Sequence, residues 1–412
     1  MTTPEDRRAF GRTVASLRKD RGLTQEELAA KVGRTASWVS QVERGAQPVN
    51  RLPVIRMLAD SLGVATHDLR PDAPADESPA PVPAERSNDL DQARLLLSGH
   101  PIPDLLLRHP GLSAESTQQL RQEVDRVWDH AHNSRYIELG EGLADLLPKL
   151  ERAARTSAEP HRSTAWSLLS QTYQVLAAAF VRQDQPDAAW VAADRAISSA
   201  ERSGEPHHVF ASVFRLVQAF VRLKHLDQAE HAATTAIRAL VQAQEEVEPA
   251  PEELSLLGSL YLSLALVHAR GGARHDAREA ITQARQVAAR LDGDRNDFNL
   301  EFGPTNVEVQ AVSIAVELGD AGEAIDNGER IDAEALSAER QGRLSMDLGR
   351  AYAQRRQVGE ALAAMLAAEE ATPDLIHTHV AARNAIRELV LISGSKASPD
   401  LLQLAERSDA MP

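Results

Sequence analysis

The stretch that most constrains this chain is residues 22–45, GLTQEELAAKVGRTASWVSQVERG. Thr24 is a favourable N-cap, and Glu27 three residues later completes a capping box, so a helix is predicted to begin there. The apolar residues that follow recur at helical spacing and predict one buried stripe. Gly33 stands where a helix commonly ends in a left-handed residue, and Thr35 then caps a second helix. The stretch therefore predicts two short helices joined by a tight turn.

The second of these helices is predicted to bury one side and to present small and amide side chains on the other. Val39 and Val42 are spaced to face inward. The residues predicted to face outward are Ala36, Ser37, Ser40 and Gln41. A DNA-binding helix-turn-helix needs such a helix, whose outward residues near its N-terminus reach base edges in the major groove. Gln reads adenine edges, Ser reads either partner, and Ala contacts a thymine methyl group.

The same residues resemble the XRE class of helix-turn-helix regulators, the lambda-repressor and Cro-like proteins. The matching segments are LTQEELAAKVG, SWVSQVERG and LPVIRMLADSLGVATHDL. The resemblance implies a five-helix DNA-binding domain over residues 1–70, in which an Arg of the first helix, here Arg18, pairs with Glu43. It also implies that Gln25 braces a phosphate or a base. The alternative is a small helical domain with no role in DNA binding.

The resemblance also implies a set of DNA contacts. Trp38 departs from the usual small residue, and it either stacks over a sugar and a thymine methyl group or folds back on the domain. Arg44 and Arg51 stand where basic or polar residues meet phosphates. The complete set of predicted DNA-contacting residues is Gln25, Thr35, Ala36, Ser37, Trp38, Ser40, Gln41, Arg44 and Arg51.

Charge is divided unevenly along the chain. Residues 1–70 hold 12 Lys and Arg against 8 Asp and Glu, a net of +4, whereas the remainder holds 33 against 52, a net of −19. Only the first segment can neutralise DNA phosphates, and the acidic remainder is expected to hang away from the duplex. Because +4 is modest, we expect a homodimer that binds two operator half-sites on double-stranded DNA, about one helical turn apart.

Residues 71–89, PDAPADESPAPVPAERSND, predict a flexible Pro/Ala/acidic linker, since they hold few apolar side chains; an ordered extended arm is the alternative. The chain is 43% hydrophobic but only 4% aromatic, and its Ala-, Leu-, Glu- and Arg-rich usage favours helices. Cys is absent, so no disulfide or thiolate metal site is predicted. No signal-peptide core and no apolar run near about 18 residues are found, so we expect a cytoplasmic bacterial protein with no membrane partner.

Residues 90–412 are predicted to form a repeat array. Five segments carry a small or aliphatic residue followed twelve positions later by an Ala, and four of the five add another Ala seven positions further on. Small residues at these points let two antiparallel helices approach closely. The five pairs are Ala177 with Ala189, Val217 with Ala229, Ala265 with Ala277, Val312 with Ala324, and Gly349 with Ala361.

This pattern resembles the tetratricopeptide repeat, an α-solenoid of helical hairpins. It departs from the family in its spacing, because the Ala-to-Ala distances are 40, 48, 47 and 37 residues. Residues 115–157 are expected to add one or two capping hairpins. The predicted fold class is therefore all-α, with a five-helix N-terminal domain joined by a Pro-rich linker to a TPR-like α-solenoid, and an unrelated helical bundle is the alternative. The aromatic position of the repeat is occupied by Phe180, Phe220, His268, Ala315 and Tyr352.

An XRE head on a tetratricopeptide body resembles the RRNPP class, the peptide-sensing regulators of Gram-positive bacteria. The resemblance implies that polar residues on the first helices bind a peptide or a small molecule. The acidic composition of the body favours a basic or neutral ligand. For each residue the alternative is a solvated side chain or a hydrogen bond between helices. The candidates are Tyr173, Gln174, Arg215, Gln218, Tyr261, Asn306, Gln310 and Arg350.

Residues 292–305, DGDRNDFNLEFGPT, interrupt the array. Their acidic start mimics a calcium loop, but Asp297 occupies the place of the invariant Gly and Gly303 that of the bidentate Glu, so the calcium pattern fails. The loop is interpreted as a wall or lid of the ligand groove. The alternative is that Phe298 and Phe302 staple it to neighbouring helices.

No catalytic residue, metal or cofactor is predicted. The chain has no Gly-rich phosphate loop and no HExxH motif, and the pairs His130/His132 and His377/His379 would diverge on a helix. The leading hypothesis is a transcriptional regulator, not an enzyme, whose array senses a ligand and modulates operator binding. The alternatives are a DNA-bound scaffold that recruits a partner protein, and an enzyme or toxin neutraliser with an accessory DNA head.

Overall fold

The computed structural model of the chain describes residues 4–32, 36–46, 49, 117–133, 135–244, 248–333 and 336–412, and scattered residues between 55 and 97. The chain divides into two compact units, Met1–Arg86 and Ser87–Pro412. Within the described ranges the regular structure is helical, which confirms the predicted all-α class. None of the helices in these ranges is both long and apolar enough to cross a membrane. The predicted linker, 71–89, lies outside the described residues.

The first unit contains the two helices predicted from residues 22–45 and one helix before them. α1 spans Pro4–Asp20, α2 spans Gln25–Lys31 and α3 spans Ala36–Glu43. Helical backbone recurs at residues 55, 58–59, 61–62 and 69, but most of the segment expected to hold the other two helices lies outside the described residues. One apolar core joins these segments, and its most buried side chains include Val14, Leu28, Val39, Leu58 and Leu62.

The second unit contains fifteen further α-helices among its described residues. They are α4 Thr117–His132, α5 Tyr136–Thr156, α6 His161–Arg182, α7 Pro186–Ser203, α8 Pro206–Leu223, α9 Leu226–Gln244, α10 Pro251–Arg270, α11 Arg274–Ala288, α12 Pro304–Glu317, α13 Ala321–Gly328, α14 Ala338–Gln354, α15 Val358–Ala371, α16 Pro373–Thr378, α17 Val380–Ser393 and α18 Pro399–Arg407.

Ten of these helices pair into five hairpins, α6–α7, α8–α9, α10–α11, α12–α13 and α14–α15, which coincide with the five predicted repeats. Each pair is joined by a turn of only two or three residues, so the paired helices run antiparallel. The first helices α6, α8, α10, α12 and α14 also pack side by side in that order. They form one continuous layer, as the TPR-like α-solenoid prediction requires. The hairpin α4–α5 precedes the array, at the predicted capping position.

The five hairpin turns share one backbone motif. In each turn the residue after a left-handed position donates its N–H to a carbonyl five residues earlier, at 2.8–2.9 Å. This is the long bond of a Schellman motif, which satisfies carbonyls at a helix end. The accepting carbonyls belong to the residues placed from sequence at the aromatic position, so the predicted register is confirmed. The left-handed residues are Asp184, Lys224, Gly272, Gly319 and Arg356.

The small residues used to find the repeat lie where the two helices of each hairpin meet. The aliphatic members of the five pairs are fully buried, as Ala177 and Ala189 illustrate. At Gly349 an added Cβ would stand 2.9 Å from Cγ of Met365, closer than normal contact. The small side chains therefore set how closely the helices approach, as the sequence pattern predicts.

Candidate DNA interface and ligand groove

Glu43, at the end of α3, bonds to both of the helices that precede it, α1 and α2. Arg18 of α1 donates from Nε and Nη2 to its two carboxylate oxygens, at 2.6 and 3.2 Å, and Gln25 of α2 donates from Nε2 at 2.7 Å. Burial would raise the pKa of Glu43, but the bonds from Arg18 and Gln25 hold that pKa below its usual range. The predicted pair of Arg18 with Glu43 is confirmed, and it fixes α3 against α1.

Local bonds also define where α2 begins and where α3 ends. Thr24 N donates to the Glu27 carboxylate at 2.7 Å while Glu27 N donates to Thr24 Oγ1 at 3.1 Å, which confirms the predicted capping box. After α3, Gly45 has a φ of +70°, and a Cβ there would lie 2.9 Å from the backbone N of Arg8. Glycine is required by both the left-handed backbone and the contact with α1. The predicted turn residue Gly33 lies outside the described residues.

The third helix has one buried side and one side that solvent reaches. Val39 and Val42 are each 1% exposed, which confirms that they face inward. Ser40 and Gln41 are half-buried, and Arg44, just beyond the helix, is exposed and donates from Nε to the Ser40 carbonyl at 3.2 Å. These three polar residues give the unit an accessible surface that can donate to and accept from base edges and can donate to phosphates.

Other members of the predicted DNA surface are held partly by the protein itself. Trp38 and Ala36 are half-buried and both pack against the apolar core of the first unit, which favours the second of the two alternatives for the indole. The amide nitrogen of Gln25 is engaged by Glu43. The predicted contacts that lie outside the described residues are Thr35, Arg51 and the side chain of Ser37.

In the second unit, a cavity of about 120 Å³ lies among the first helices of the five hairpins. Its walls come from α6, α8, α10, α12 and α14, with Asn299 and Glu301 from the loop between α11 and α12, and His379 from the residue before α17. Of the lining residues described, none belongs to the second helices of the hairpins. The cavity is thus on the inner layer of the solenoid.

Two further cavities adjoin this one and share its walls. One, of about 60 Å³, is lined in part by Gln218, Gln310 and Leu266. The other, of about 770 Å³, shares Arg222 and His379 with the first. We call the three cavities together the groove. Its total extent suits a small organic molecule or a few residues of peptide.

The groove is rich in arginine. The acidic composition of the body, from which a basic or neutral ligand was expected, does not extend to the groove, because net charge sums over the whole surface. Seven arginines line the first cavity against three glutamates: Arg182, Arg215, Arg222, Arg270, Arg340, Arg343 and Arg350 face Glu301, Glu317 and Glu339.

Glu339 at the start of α14 is the most buried of these carboxylates. It accepts from Arg182 of α6 at 3.3 Å and lies 3.8 Å from Arg343. Burial would raise the pKa of Glu339, but the surrounding arginines hold that pKa far below its usual range. Because Arg182 and Glu339 stand 157 residues apart, their bond joins the first hairpin of the array to the fifth.

Arg215 of α8 is buried without a carboxylate within 4.0 Å among the described residues. It donates to the Asn299 carbonyl at 2.8 Å, and its guanidinium lies 5.3 Å from the ring centre of Trp128. Burial, and then repulsion from Arg182 and Arg340, lowers the pKa of Arg215 to about 9. The aromatic face and the carbonyl hold the guanidinium in place but leave its charge unneutralised.

The loop between α11 and α12 is both a wall of the groove and a staple. Phe302 is fully buried, and its ring stands so close to Gly258 of α10 that an added Cβ would lie 1.9 Å from Cζ. Asn299 and Glu301, next to that anchor, line the groove. The two interpretations drawn from sequence, a wall of the groove and a staple, therefore both apply. Phe302 anchors the loop, and Asn299 and Glu301 face the cavity.

The acidic start of this loop is engaged in holding the loop itself. Asp294 accepts from the backbone N of Thr305 at 3.0 Å, and Asp297 accepts from Nε of Arg295 at 2.7 Å. Across the described part of the chain, no cluster of three or more His, Asp or Glu side chains is arranged to hold a metal ion.

Known proteins match the first unit. A family model described as a helix-turn-helix domain matches residues 9–73. The uncharacterized HTH-type transcriptional regulator y4dJ of Sinorhizobium fredii is 37% identical over 73 residues, which are 18% of this chain and 91% of that protein. This chain belongs to the helix-turn-helix transcriptional regulators. The similarly named YazB of Bacillus subtilis is 37% identical over 65 residues, 15% of this chain and 88% of its own.

Two solved structures resemble the whole regulator at low similarity. PlcR of Bacillus thuringiensis, solved with the peptide PapR7 and DNA, matches over 98% of each chain at 13% identity and a TM-score of 0.29. A mutant of PrgX matches over 96% of this chain and 99% of its own at 11% identity and a TM-score of 0.27.

The structure brings together five of the eight ligand candidates of the regulator and separates the other three. Tyr173 donates its hydroxyl to Glu151 of α5, and Gln174 donates to Ser212 Oγ of α8 at 3.1 Å. Tyr261 packs against the apolar cluster around α10. These three bind neighbouring helices and not the groove. The five that line the groove are Arg215, Gln218, Asn306, Gln310 and Arg350.

Several groove residues were missed by sequence reasoning, although a signal for them was present. The position two residues after each aromatic position falls at the end of every first helix. In successive repeats it holds Arg182, Arg222, Arg270, Glu317 and Gln354. Equivalent positions of stacked repeats lie side by side. This run therefore predicts that its charged side chains form a row at one end of the first helices. Glu339 lies at the start of α14 and His379 lies beyond the five hairpins, and neither position gave such a signal.

Proposed function

We propose that the regulator binds operator DNA as a homodimer through α3 and that a ligand in the groove modulates this binding. The observation that carries the proposal is a cavity lined by the first helices of all five hairpins and holding buried charge. A buried arginine that has no carboxylate partner, such as Arg215, destabilises the protein when no ligand is bound. Perturbed and unneutralised groups of this kind are typical of binding sites.

At the DNA end, Ser40, Gln41 and Arg44 are the described residues best placed for contact. Gln41 would read a base edge, while Arg44 would meet a phosphate. The remaining predicted contacts are proposed as a wider set around this centre. The positive charge of residues 1–70 supports this orientation, because the rest of the chain is strongly acidic.

Modulation requires that the ligand favour one arrangement of the array over another. The groove supplies a means, because its walls come from five hairpins and the bonds from Arg182 to Glu339 join the first hairpin to the fifth. A ligand that pairs with the arginines changes the balance of these contacts. The change can then alter the spacing of two DNA-binding units in a dimer.

Exposed apolar side chains near the end of the array support the dimer. Leu391 is 63% exposed, and Ile392 beside it and Leu402 of the contacting helix α18 are also exposed. Terminal repeats of a solenoid need a polar outer face to remain separate. We therefore expect the variant Leu391→Glu to shift the protein from dimer to monomer in light scattering, whereas the exposed second-helix variant Val241→Glu leaves the dimer intact.

The test of the proposal is a DNA-binding titration with the full-length protein. Fluorescence anisotropy would follow its binding to DNA from upstream of its own gene, with and without a low-molecular-weight extract of its host. A change in affinity with the extract, lost in Arg215→Gln, supports ligand sensing. Specific binding that ignores the extract would leave a DNA-binding scaffold as the better description.

A further inference from the structure

One end of the groove gathers four arginines around a buried histidine. His379 is 5% exposed, lines both the 120 Å³ and the 770 Å³ cavities, and its Nδ1 has no hydrogen-bond partner among the described residues. A buried polar atom without a partner is uncommon in folded proteins. Because His379 lines the groove, this nitrogen is available to bond to a molecule bound there.

The arginines around His379 differ in how well they are neutralised. Arg350 donates to Glu317 at 2.9 Å and to Asp347 at 2.7 Å, so it is paired twice. Arg270 lies 3.6 Å from the same Glu317, which it must share. Arg222 has no carboxylate within 4.0 Å in the part of the chain that the structure describes. Arg343, on the far wall, reaches Glu339 only at 3.8 Å.

The electrostatic balance of this end follows from those distances. Burial, and then repulsion from Arg343 and Arg270, lowers the pKa of Arg222 to about 10. Burial lowers the pKa of His379 well below its usual value, and repulsion from Arg222, Arg343, Arg350 and Arg270 lowers it further. The histidine is therefore neutral near pH 7, and a neutral imidazole has one N–H to donate. The site offers cationic and neutral donors, and one of its cations, Arg222, has no carboxylate within 4.0 Å among the described residues.

We propose that this end of the groove binds an oxyanion, the carboxylate or phosphate group of a ligand, held by the guanidinium of Arg222 and by His379. The proposal rests on the function proposed above and names the chemical class that the groove selects. A guanidinium suits carboxylate and phosphate oxygens because its N–H groups form a planar fork. The rest of the ligand would lie along Val221 and Leu266, beside the amides of Gln218 and Gln310.

The experiment uses the full-length protein and two oxyanion probes, citrate for the carboxylate and inorganic phosphate for the phosphate ester. Thermal midpoints are measured at rising probe concentration, against sodium chloride of matched ionic strength. Arg222→Gln is the test variant. The matched control is Arg238→Gln, which removes an exposed arginine from α9, a second helix outside the groove.

We expect at least one probe to raise the midpoint of the native protein and of Arg238→Gln by about 2 °C at ten times its Kd. Arg222→Gln should weaken the binding of that probe by at least about tenfold. It should also melt no lower than the native protein without probe, because it removes a repelled charge. The melting midpoint without probe therefore shows whether the variant has folded. The probe that raises the midpoint, citrate or phosphate, identifies the class of oxyanion.

Two results would overturn the proposal. One is an equal rise in all three proteins, which is the general effect of excluded salts on folded proteins. The other is the absence of any rise beyond that with sodium chloride. Operator binding measured with the same probes separates this proposal from the proposed function. A probe that binds through Arg222 without changing DNA affinity supports the anion site and contradicts its role in modulation.

Discussion

Replacing Gly258 by Ala tests how the groove loop is anchored. The glycine lies within α10, and an added Cβ would stand 1.9 Å from Cζ of Phe302 and 2.4 Å from both Cε1 and Cε2. The ring therefore points end-on at the helix, and rotation about its long axis does not move Cζ. To restore ordinary contact the ring must withdraw by about 1.5 Å, yet it is fully buried.

The size of the effect lies between two limits. Overpacking of a core costs about 1–3 kcal/mol, and complete loss of a buried Phe costs about 3–5 kcal/mol. We expect Gly258→Ala to lower the free energy of unfolding by about 3 kcal/mol. It should also release the Asn299 carbonyl from Arg215, because the loop carries both Asn299 and the ring.

Urea unfolding followed by circular dichroism measures the loss, and hydrogen exchange across residues 295–303 shows whether the loop has lifted. Gly359→Ala is the matched control: it too lies in a helix, nothing stands within 4 Å of its added Cβ, and it should gain about 0.5–1 kcal/mol. Phe302→Leu in the Gly258→Ala background should recover part of the loss. Native stability for Gly258→Ala, or no recovery in the double variant, would refute the packing account.

Three further predictions concern the DNA-binding unit and the groove. Glu43→Ala leaves Arg18 partly buried and without its carboxylate, so we expect the free energy of unfolding of the first unit to fall by about 3 kcal/mol. Unchanged hydrogen exchange in α1 and α3 of the full chain would contradict this. Gln41→Ala should weaken specific operator binding by about 1–3 kcal/mol and relax one base position, whereas an equal loss on all DNA in anisotropy titrations would assign Gln41 to the backbone. His379 has a folded-state pKa below its unfolded value of 6.5, so the unfolded state binds more protons below that pH and stability should fall there. Thermal melts from pH 7.5 to 5.5 should show the fall, with a shallower slope for His379→Gln.

The repeats were predictable from sequence because their determinants are local. The small residues Ala177 and Ala189 lie only twelve positions apart, and each turn is closed by a bond between residues five apart. Periodicity makes such short-range features visible in a single sequence. The same holds for the first unit, where Thr24 and Glu27 define the start of α2.

The groove could be predicted only in part, because its charges pair over long sequence distances. The bond between Arg182 and Glu339 spans 157 residues, which no local pattern reveals. Polar residues on a first helix also look alike in sequence, although each such helix packs against its hairpin partner and against helices of the adjacent hairpins. Tyr173 and Gln174 face such neighbours, whereas Gln218 lies on the narrow stripe that faces the groove.

The unneutralised charge of the groove also bears on how ligand and DNA must influence each other. A charge such as that of Arg222, repelled by Arg270 and Arg343, lowers the stability of the unliganded array. A ligand that neutralises it stabilises whichever arrangement of the array it binds. If that arrangement also has a different affinity for the operator, thermodynamic linkage requires operator DNA to change the ligand's affinity by the same factor. Anion binding measured with and without saturating operator DNA should therefore differ by that factor, and equal anion affinities would show that the two units act independently.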